Sequence, residues 1–212
     1  MRGKASCIGR LGDIAHRRSE HKEARARYAE AQQLYRQVGD VLGEANCILS
    51  LGDIALARSE YEKARARYAE AQPRYRQVGD VLGEVNCIAR LGEIARRRSE
   101  HEEARAKYAE AQPRYRQVGD VLGEANCILG LRDIARAIGK PDEARARYEA
   151  ALALYAKIRE PYSIGGAHWR LARLASSPAE RARHVEAART AWLRIDRPDL
   201  VADLDAELGP PA

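Results

Sequence analysis

Four cysteines, Cys7, Cys47, Cys87 and Cys127, stand forty residues apart. Four thiols suggest a zinc site or two disulfides, and either needs its sulfurs brought together. The even spacing argues against both, because it assigns one thiol to the same position of four successive units. Units packed at helix–helix distances keep equivalent atoms on the order of 10 Å apart, whereas a disulfide needs its Cα atoms within about 7 Å. The thiols are therefore expected to be small buried apolar residues, and unpaired thiols fit a reducing compartment. The five histidines, His16, His21, His101, His168 and His184, make no HExxH or other ligand spacing. No Ser, Cys or carboxylate sits in a recognisable catalytic setting, and the phosphate-loop pattern GxxxxGK[ST] is missing; Gly139-Lys140-Pro141 reads as a turn. The expectation is a protein that is not an enzyme and holds no metal or cofactor.

The side chains suited to recognition recur with the same period. Asn46, Asn86 and Asn126, with Ser6 in the first unit, form an amide row, and Asp13, Asp53, Glu93 and Asp133 form an acidic one. Arg90, Arg96, Arg97 and Arg136, with Arg10, add positive charge beside it. Tyrosines come in pairs seven residues apart: Tyr28 and Tyr35, Tyr68 and Tyr75, Tyr108 and Tyr115, Tyr148 and Tyr155.

These rows need a periodic scaffold. Val41–Asp80 and Val81–Asp120 overlay without a gap, and a fixed period of 20 to 50 residues signals stacked supersecondary units. Each unit divides into two helices. Cys47, Ile48, Leu51, Ile54 and Ala55 fall on one face of the first, and Ala64, Tyr68, Ala71, Tyr75 and Val78 on one face of the second. Ser59 and Ser99 fit capping boxes with the Glu three residues on, Gly79 suits a left-handed helix end, and Asp80 suits the cap of the next helix. Pro73 and Pro113 fall inside second helices and are expected to kink them.

Four units match closely, 1–40, 41–80, 81–120 and 121–160, and a degenerate fifth spans 161–196. In the fifth, Trp169, Leu171 and Leu174 belong to the first helix, and Ser177-Pro178 opens a second carrying Val185, Ala188, Trp192 and Ile195. Residues 199–208 read as a capping helix and the Gly-Pro-Pro-Ala end as a frayed tail. The tyrosine pairs lie on the apolar stripe, so core packing with the hydroxyls at an edge is expected rather than base stacking.

Leu51-Gly52, Ala64, Tyr68 and Ala71 sit at the spacings of the packing residues of the tetratricopeptide repeat family, which the chain resembles. Ile48 stands where a bulky residue is common and Ala55 where an aromatic is usual. The forty-residue length and the Gly-Asp-x-x-Gly-Glu-Ala linkers at Gly39–Ala45 and Gly119–Ala125 resemble the longer subtype of kinesin light chains, Pins-type adaptors and the sensor arms of bacterial signalling ATPases. The resemblance implies an all-α, right-handed α-α superhelix over 1–212, a solenoid of about five helix-turn-helix repeats plus the capping helix. It also implies a concave groove lined by the first helices. At about 100° per residue, Ala45, Asn46, Leu49, Asp53 and Leu56 fall opposite the apolar stripe and are expected to face that groove. The expected partner-binding set is Asn46, Asn86, Asn126, Leu49, Leu129, Asp53, Glu93, Asp133, Leu56, Arg90, Arg96 and Arg136. Family members that clamp a C-terminal carboxylate carry Lys and Asn where this chain has Gly9 and Asp13, which argues against an acidic chaperone-tail ligand.

Two readings of these rows stay open. The amides suit the backbone of an extended peptide or their own helix end, and the charged groups suit a ligand or pair with one another. Between the second and third units the first helix changes at residues 45, 49, 50, 53, 56 and 57, the second only at 61, 63 and 67. That drift fits a diversified groove or free variation at solvated positions. The net charge of +6 and pI of about 9.2 admit an acidic partner, but the charges are interspersed, as on a solvated face. No signal-peptide core and no run of ~18 apolar residues is present. The expected function is a cytoplasmic protein-interaction scaffold binding a peptide or helical segment, with a nucleic-acid-binding basic solenoid or a self-assembling array, docking through the N-terminal repeat, as alternatives.

Overall fold

A computed structural model describes residues 1–209, and they form eleven α-helices with no strand among them. The fold class is the expected all-α solenoid of helix-turn-helix pairs. Two compact units are distinguished, Met1–Arg114 and Tyr115–Ala212.

The first unit contains α1 (Arg2–Arg17), α2 (His21–Gln37), α3 (Val41–Ala57), α4 (Tyr61–Gln77), α5 (Val81–Arg97) and most of α6 (His101–Val118). Here α1 packs on α2 and α3 on α4, α2 packs on α3 and α4 on α5, and α3 touches both α1 and α5. The second unit holds the end of α6, then α7 (Val121–Ala137), α8 (Pro141–Lys157), α9 (Pro161–Arg173), α10 (Pro178–Leu193) and α11 (Pro198–Leu208). It pairs α7 with α8 and α9 with α10, and α11 closes on α10. Of the Gly-Pro-Pro-Ala tail, residues 210–212 lie outside the described residues.

Tyrosine against glycine sets the closeness of the pairs. A Cβ built on Gly52 would stand 2.6 Å from the Tyr68 ring, and one on Gly83 would stand 2.3 Å from Tyr75. Only glycine admits these contacts without displacing a ring. Between the rings, Cys47, Ile48, Leu51, Ile54 and Ala55 are buried, as are Ala64, Tyr68, Ala71 and Tyr75. Asp40, Asp80 and Asp120 each accept a hydrogen bond from the amide three residues on, capping α3, α5 and α7. Ser177 caps α10 in the same manner. The helical runs of α4 and α6 continue through Pro73 and Pro113.

Three buried glutamates staple the turns. Glu44 receives Arg36 and Arg74, Glu84 receives Arg76 and Arg114, and Glu124 receives Arg116.

Several expectations need correction. Ser59 and Ser99 do not start capping boxes. Each adopts the left-handed conformation at φ 58° and 61°, because the two helices of a pair are joined so tightly that Ser59 closes α3 and Glu60 stands at the N-cap of α4 without a side-chain cap. Val78 is 42% exposed, having fallen past the end of α4. Cys7 is exposed, unlike its three buried counterparts. Leu56 and Ala45 are in the core rather than facing a groove, at 5% and 0% exposure. The reason is that α3 packs against α1, α2, α4 and α5 at once, so its buried arc is far wider than one stripe.

Candidate functional site

The second-helix tyrosines project their hydroxyls past the core onto the first helices. Tyr28 donates to Asp13 at 2.7 Å, Tyr68 to Asp53 at 2.8 Å and Tyr108 to Glu93 at 3.0 Å. Burial first, and then the adjacent carboxylates, push the Tyr28 and Tyr68 phenols far above their ordinary range, so they act only as neutral donors. The later tyrosine of a pair reaches the amide row: Tyr75 donates to Asn46 Oδ1 at 2.8 Å and Tyr155 to Asn126 Oδ1 at 3.4 Å. Five members of the expected amide and acid rows, Asp13, Asp53, Glu93, Asn46 and Asn126, are therefore pinned by a hydroxyl anchored in the core. Asn46 and Asn126 remain exposed, and Asn86 is half-buried.

Within the first unit the charged neighbours pair with one another. Arg90 Nε lies 3.1 Å from Asp53, joining α5 to α3. Arg96 and Arg97 both bind Glu93, at 2.7 and 2.6 Å. Burial raises the Glu93 carboxyl, but these two guanidinium groups outweigh it and hold the acid below the usual carboxylate range. Leu49 is half-buried against the core beside these groups. In the second unit Asp133 pairs with Arg132 at 3.2 Å, Leu129 is half-buried, and Arg136 is exposed with no acidic partner among the described residues.

Two cavities open between neighbouring first helices, one in each unit and both in the same register of the repeat. The first, about 160 Å³, is lined by Ser6, Arg10, Asp13, Tyr28, Tyr35 and Asn46, among others. The second, about 240 Å³, is lined by Asn126, Arg132, Tyr148, Tyr155, Trp169 and Arg170, among others. The expected set did not include Arg132 or Arg170. Arg132 replaces the glycine of Gly12, Gly52 and Gly92, and Arg170 stands in register with Arg10 and Arg90. That departure from the repeat was the available signal.

Elsewhere in the second unit, His168 and His184 approach to 3.0 Å between Nδ1 atoms. Burial, then the neighbouring ring, depresses the His168 imidazole to about 4, so that ring is neutral at neutral pH. No group of three metal-ligating side chains occurs among the described residues, and no helix among them is long and apolar enough to cross a membrane.

Helix pairs knitted by Tyr–Gly contacts, with first helices presenting fixed polar rows, define an α-helical repeat protein. A model of the family described as tetratricopeptide repeat matches residues 5–77 and 84–157, and the chain belongs to that family. No curated protein matches the sequence significantly. Among solved structures, BtubC (BKLC) from P. vanneervenii is similar at TM-score 0.73 and 17% identity, covering 90% of this chain and 80% of that one. The Rap conjugation gene regulator of the plasmid pLS20, in complex with the Phr* peptide, gives TM-score 0.74 at 15% identity over 99% of this chain and 59% of that one. A putative kinesin light chain with nearly identical TPR-like repeats, from Podosopora anserina, gives TM-score 0.67 at 13% identity over 93% and 99%. At these identities the likeness is one of fold. This chain spans less than two thirds of the Rap regulator's length.

Proposed function

We propose that this chain is a non-enzymatic, cytoplasmic interaction scaffold, one solenoid domain over 1–212, that receives a peptide or helical segment of a partner protein on its first-helix face. The observation that carries this reading is the pinning of the amide and acid rows by core tyrosines, Tyr75 on Asn46 and Tyr68 on Asp53 among them. Side chains fixed before a ligand arrives lose little entropy on binding it, and an amide with one lone pair engaged keeps its donors for a peptide carbonyl. The Rap regulator, similar in fold, is in complex with the Phr* peptide, which supports a peptide as the kind of ligand. The binding set is then Asn46, Asn86, Asn126, Leu49, Leu129, Asp53, Glu93, Asp133, Arg90, Arg96 and Arg136; Leu56 drops out.

A nucleic-acid surface is disfavoured by the pairing of the second-helix arginines. Arg65 engages Glu100 and Glu103, Arg67 engages Glu70, and Arg74 engages Glu44. Phosphate binding needs such cations available. Self-association through the N-terminal repeat has one observation in favour: Leu11 and Ile14 are 48% and 40% exposed, whereas the equivalent Leu51 and Ile54 are buried. Light scattering against concentration, with Leu11→Glu/Ile14→Glu as the control, measures it.

The test of the scaffold reading is affinity capture from a cognate lysate with the intact chain beside an Arg90→Glu/Arg96→Glu/Arg136→Glu variant of matched circular dichroism. Loss of specific partners in the variant is expected. Retention of the same partners would refute the groove assignment.

A further inference from the structure

We infer that the cavity between α7 and α9 is an anchoring pocket for a carboxylate carried beside an apolar group, a reading that rests on the scaffold function and names the ligand chemistry of one site within it. The starting observation is a break in the repeat. Three units carry Gly12, Gly52 and Gly92 against the tyrosine ring of the following helix, and the fourth carries Arg132. Its guanidinium lies over the Tyr148 ring, 4.2 Å from the centroid, and the residue is only 6% exposed. It donates to the Tyr148 hydroxyl and to Leu129 O at 3.2 Å, and its Nε lies 3.2 Å from the Asp133 carboxylate as an ion pair. A cation placed that deep is costly, and the Asp133 carboxylate at its side offsets part of the cost.

A second cation reaches the same cavity. Arg170 is half-buried and donates to Gly166 O at 2.9 Å, and it has no acidic partner among the described residues. The lining of the cavity includes both guanidinium groups and no carboxylate, with Asn126 and the Tyr155 hydroxyl adding polar groups. Apart from Ser163 and Gly166 the remaining wall is aromatic and aliphatic, Trp169 included. The matching cavity in the first unit holds Arg10 together with Asp13 in its lining and is smaller, about 160 Å³ against 240 Å³. Two planar donors in a walled, low-dielectric space favour a carboxylate, which accepts forked hydrogen bonds, and the aromatic wall favours an apolar body next to it. The volume suits one residue of a peptide. The carboxylate is supplied either by a terminal residue or by an acidic side chain.

The two tryptophans of the chain, Trp169 and Trp192, both line this cavity, 5.7 Å apart edge to face. Their emission and indole N–H resonances therefore report on occupancy. The intact chain is titrated with N-acetyl-phenylalanine, with N-acetyl-aspartyl-phenylalanine amide, and with N-acetyl-phenylalanine amide, which lacks a carboxylate. The expected result is a saturable response to one or both acids, with Kd on the order of 1 mM for ligands of this size. The neutral amide should bind about tenfold more weakly or worse, since it forfeits the charge-assisted bonds. Response to the first acid alone assigns a terminal carboxylate, and response to the second assigns a side chain.

Arg170→Gln and Arg132→Gly, the latter restoring the residue of the other repeats, should each weaken acid binding about tenfold with unchanged circular dichroism. Silence of the tryptophans to about 10 mM of both acids, equal binding of the amide, or unaltered affinity in both variants would each overturn the proposal. If charge reversal of Arg90, Arg96 and Arg136 abolishes partner capture while the acids leave the tryptophans unmoved, the scaffold reading stands and this pocket falls. If the acids bind and capture survives charge reversal, the opposite holds.

Discussion

Glu84→Gln isolates the ionic staple from the helix packing it accompanies. Glu84 is 7% exposed and receives Arg76 at 2.7 Å on one oxygen and Arg114 at 2.7 Å on the other. The Arg114 hydrogen bond, offset in part by burial and reinforced by Arg76, brings the carboxyl from an ordinary 4.5 to about 2. Read as linkage, that shift sets a ceiling of about 3 kcal/mol on the ionised group's contribution. Arg76 keeps 66% and Arg114 28% of its side chain exposed, so water screens the pair and both cations can turn outward in a variant. The expected loss at pH 7 is therefore about 2 kcal/mol, a fall in urea midpoint of about 1 M at an m of about 2 kcal/mol/M.

The pH dependence follows from the sign of the shift. A carboxylate with a depressed folded pKa stabilises fully above its unfolded pKa and loses that contribution as pH falls toward the folded value. The gap between parent and E84Q should hold from pH 7 to about 5, shrink below 4.5 and close near 2. Glu124→Gln supplies an internal comparison, because Leu154 stands where Arg74 and Arg114 stand in the earlier units and only Arg116 remains. Its loss should be about half as large. Urea unfolding followed by circular dichroism from pH 7 to pH 2 measures both. A gap under about 0.5 kcal/mol at pH 7, or one that persists unchanged to pH 2, would refute the assignment of stability to the ionised staple.

The packing and turn arguments make further predictions. Gly52→Ala places a Cβ 2.6 Å from the Tyr68 ring and should cost about 1–3 kcal/mol despite alanine's better helix propensity. Gly9→Ala meets only Ala31 at 4.0 Å and should stabilise by up to about 1 kcal/mol, both read by thermal unfolding. Ser59→Gly relieves a side chain held at φ 58° and should raise stability by about 1 kcal/mol, the fourth repeat already using Gly139 at that turn. In the native chain a thiol reagent should modify Cys7 rapidly, whereas Cys47, Cys87 and Cys127, buried and with burial pushing their thiols up to about 12, react only on unfolding. Four reactive thiols in the folded protein would contradict that placement.

Most of the scaffold is legible in the sequence because its determinants are local and repeated. Asp80 before a helix, Gly79 after one, and Leu51, Ile54 and Ala55 on one face each act within a few residues of where they stand, and the period multiplies the signal. What is not legible depends on how many neighbours a helix has. One stripe predicts the burial of a helix with one partner, yet α3 has four, and so Ala45 and Leu56 go inward with Glu44. Ser59 illustrates a different limit: Ser-x-x-Glu marks a helix start only where the chain has room for an N-cap, and the tight junction after Ala57 leaves none. The second and third units are also nearly identical, so their comparison is silent about Arg132, which appears only in the fourth.

The least legible feature is the coupling of core and surface. Tyr68 and Tyr75 belong to the core by every local criterion, and their rings are buried to 0% and 1% exposure. Their hydroxyls nevertheless position Asp53 and Asn46 on the first-helix face. A tyrosine there has two separable roles: the ring fills the space that glycine leaves, and the oxygen orients a polar side chain of the first helix. Replacing the ring alters the fold, whereas removing only the oxygen leaves the packing and loosens the row. Arg132 shows the same coupling in reverse. A substitution at a packing glycine lays a guanidinium over the Tyr148 ring, takes that tyrosine's hydroxyl as its partner, and lines the cavity between α7 and α9 with a cation. Diversity in this repeat therefore enters through packing positions as well as solvent-facing ones, and a search for specificity confined to exposed residues would overlook it.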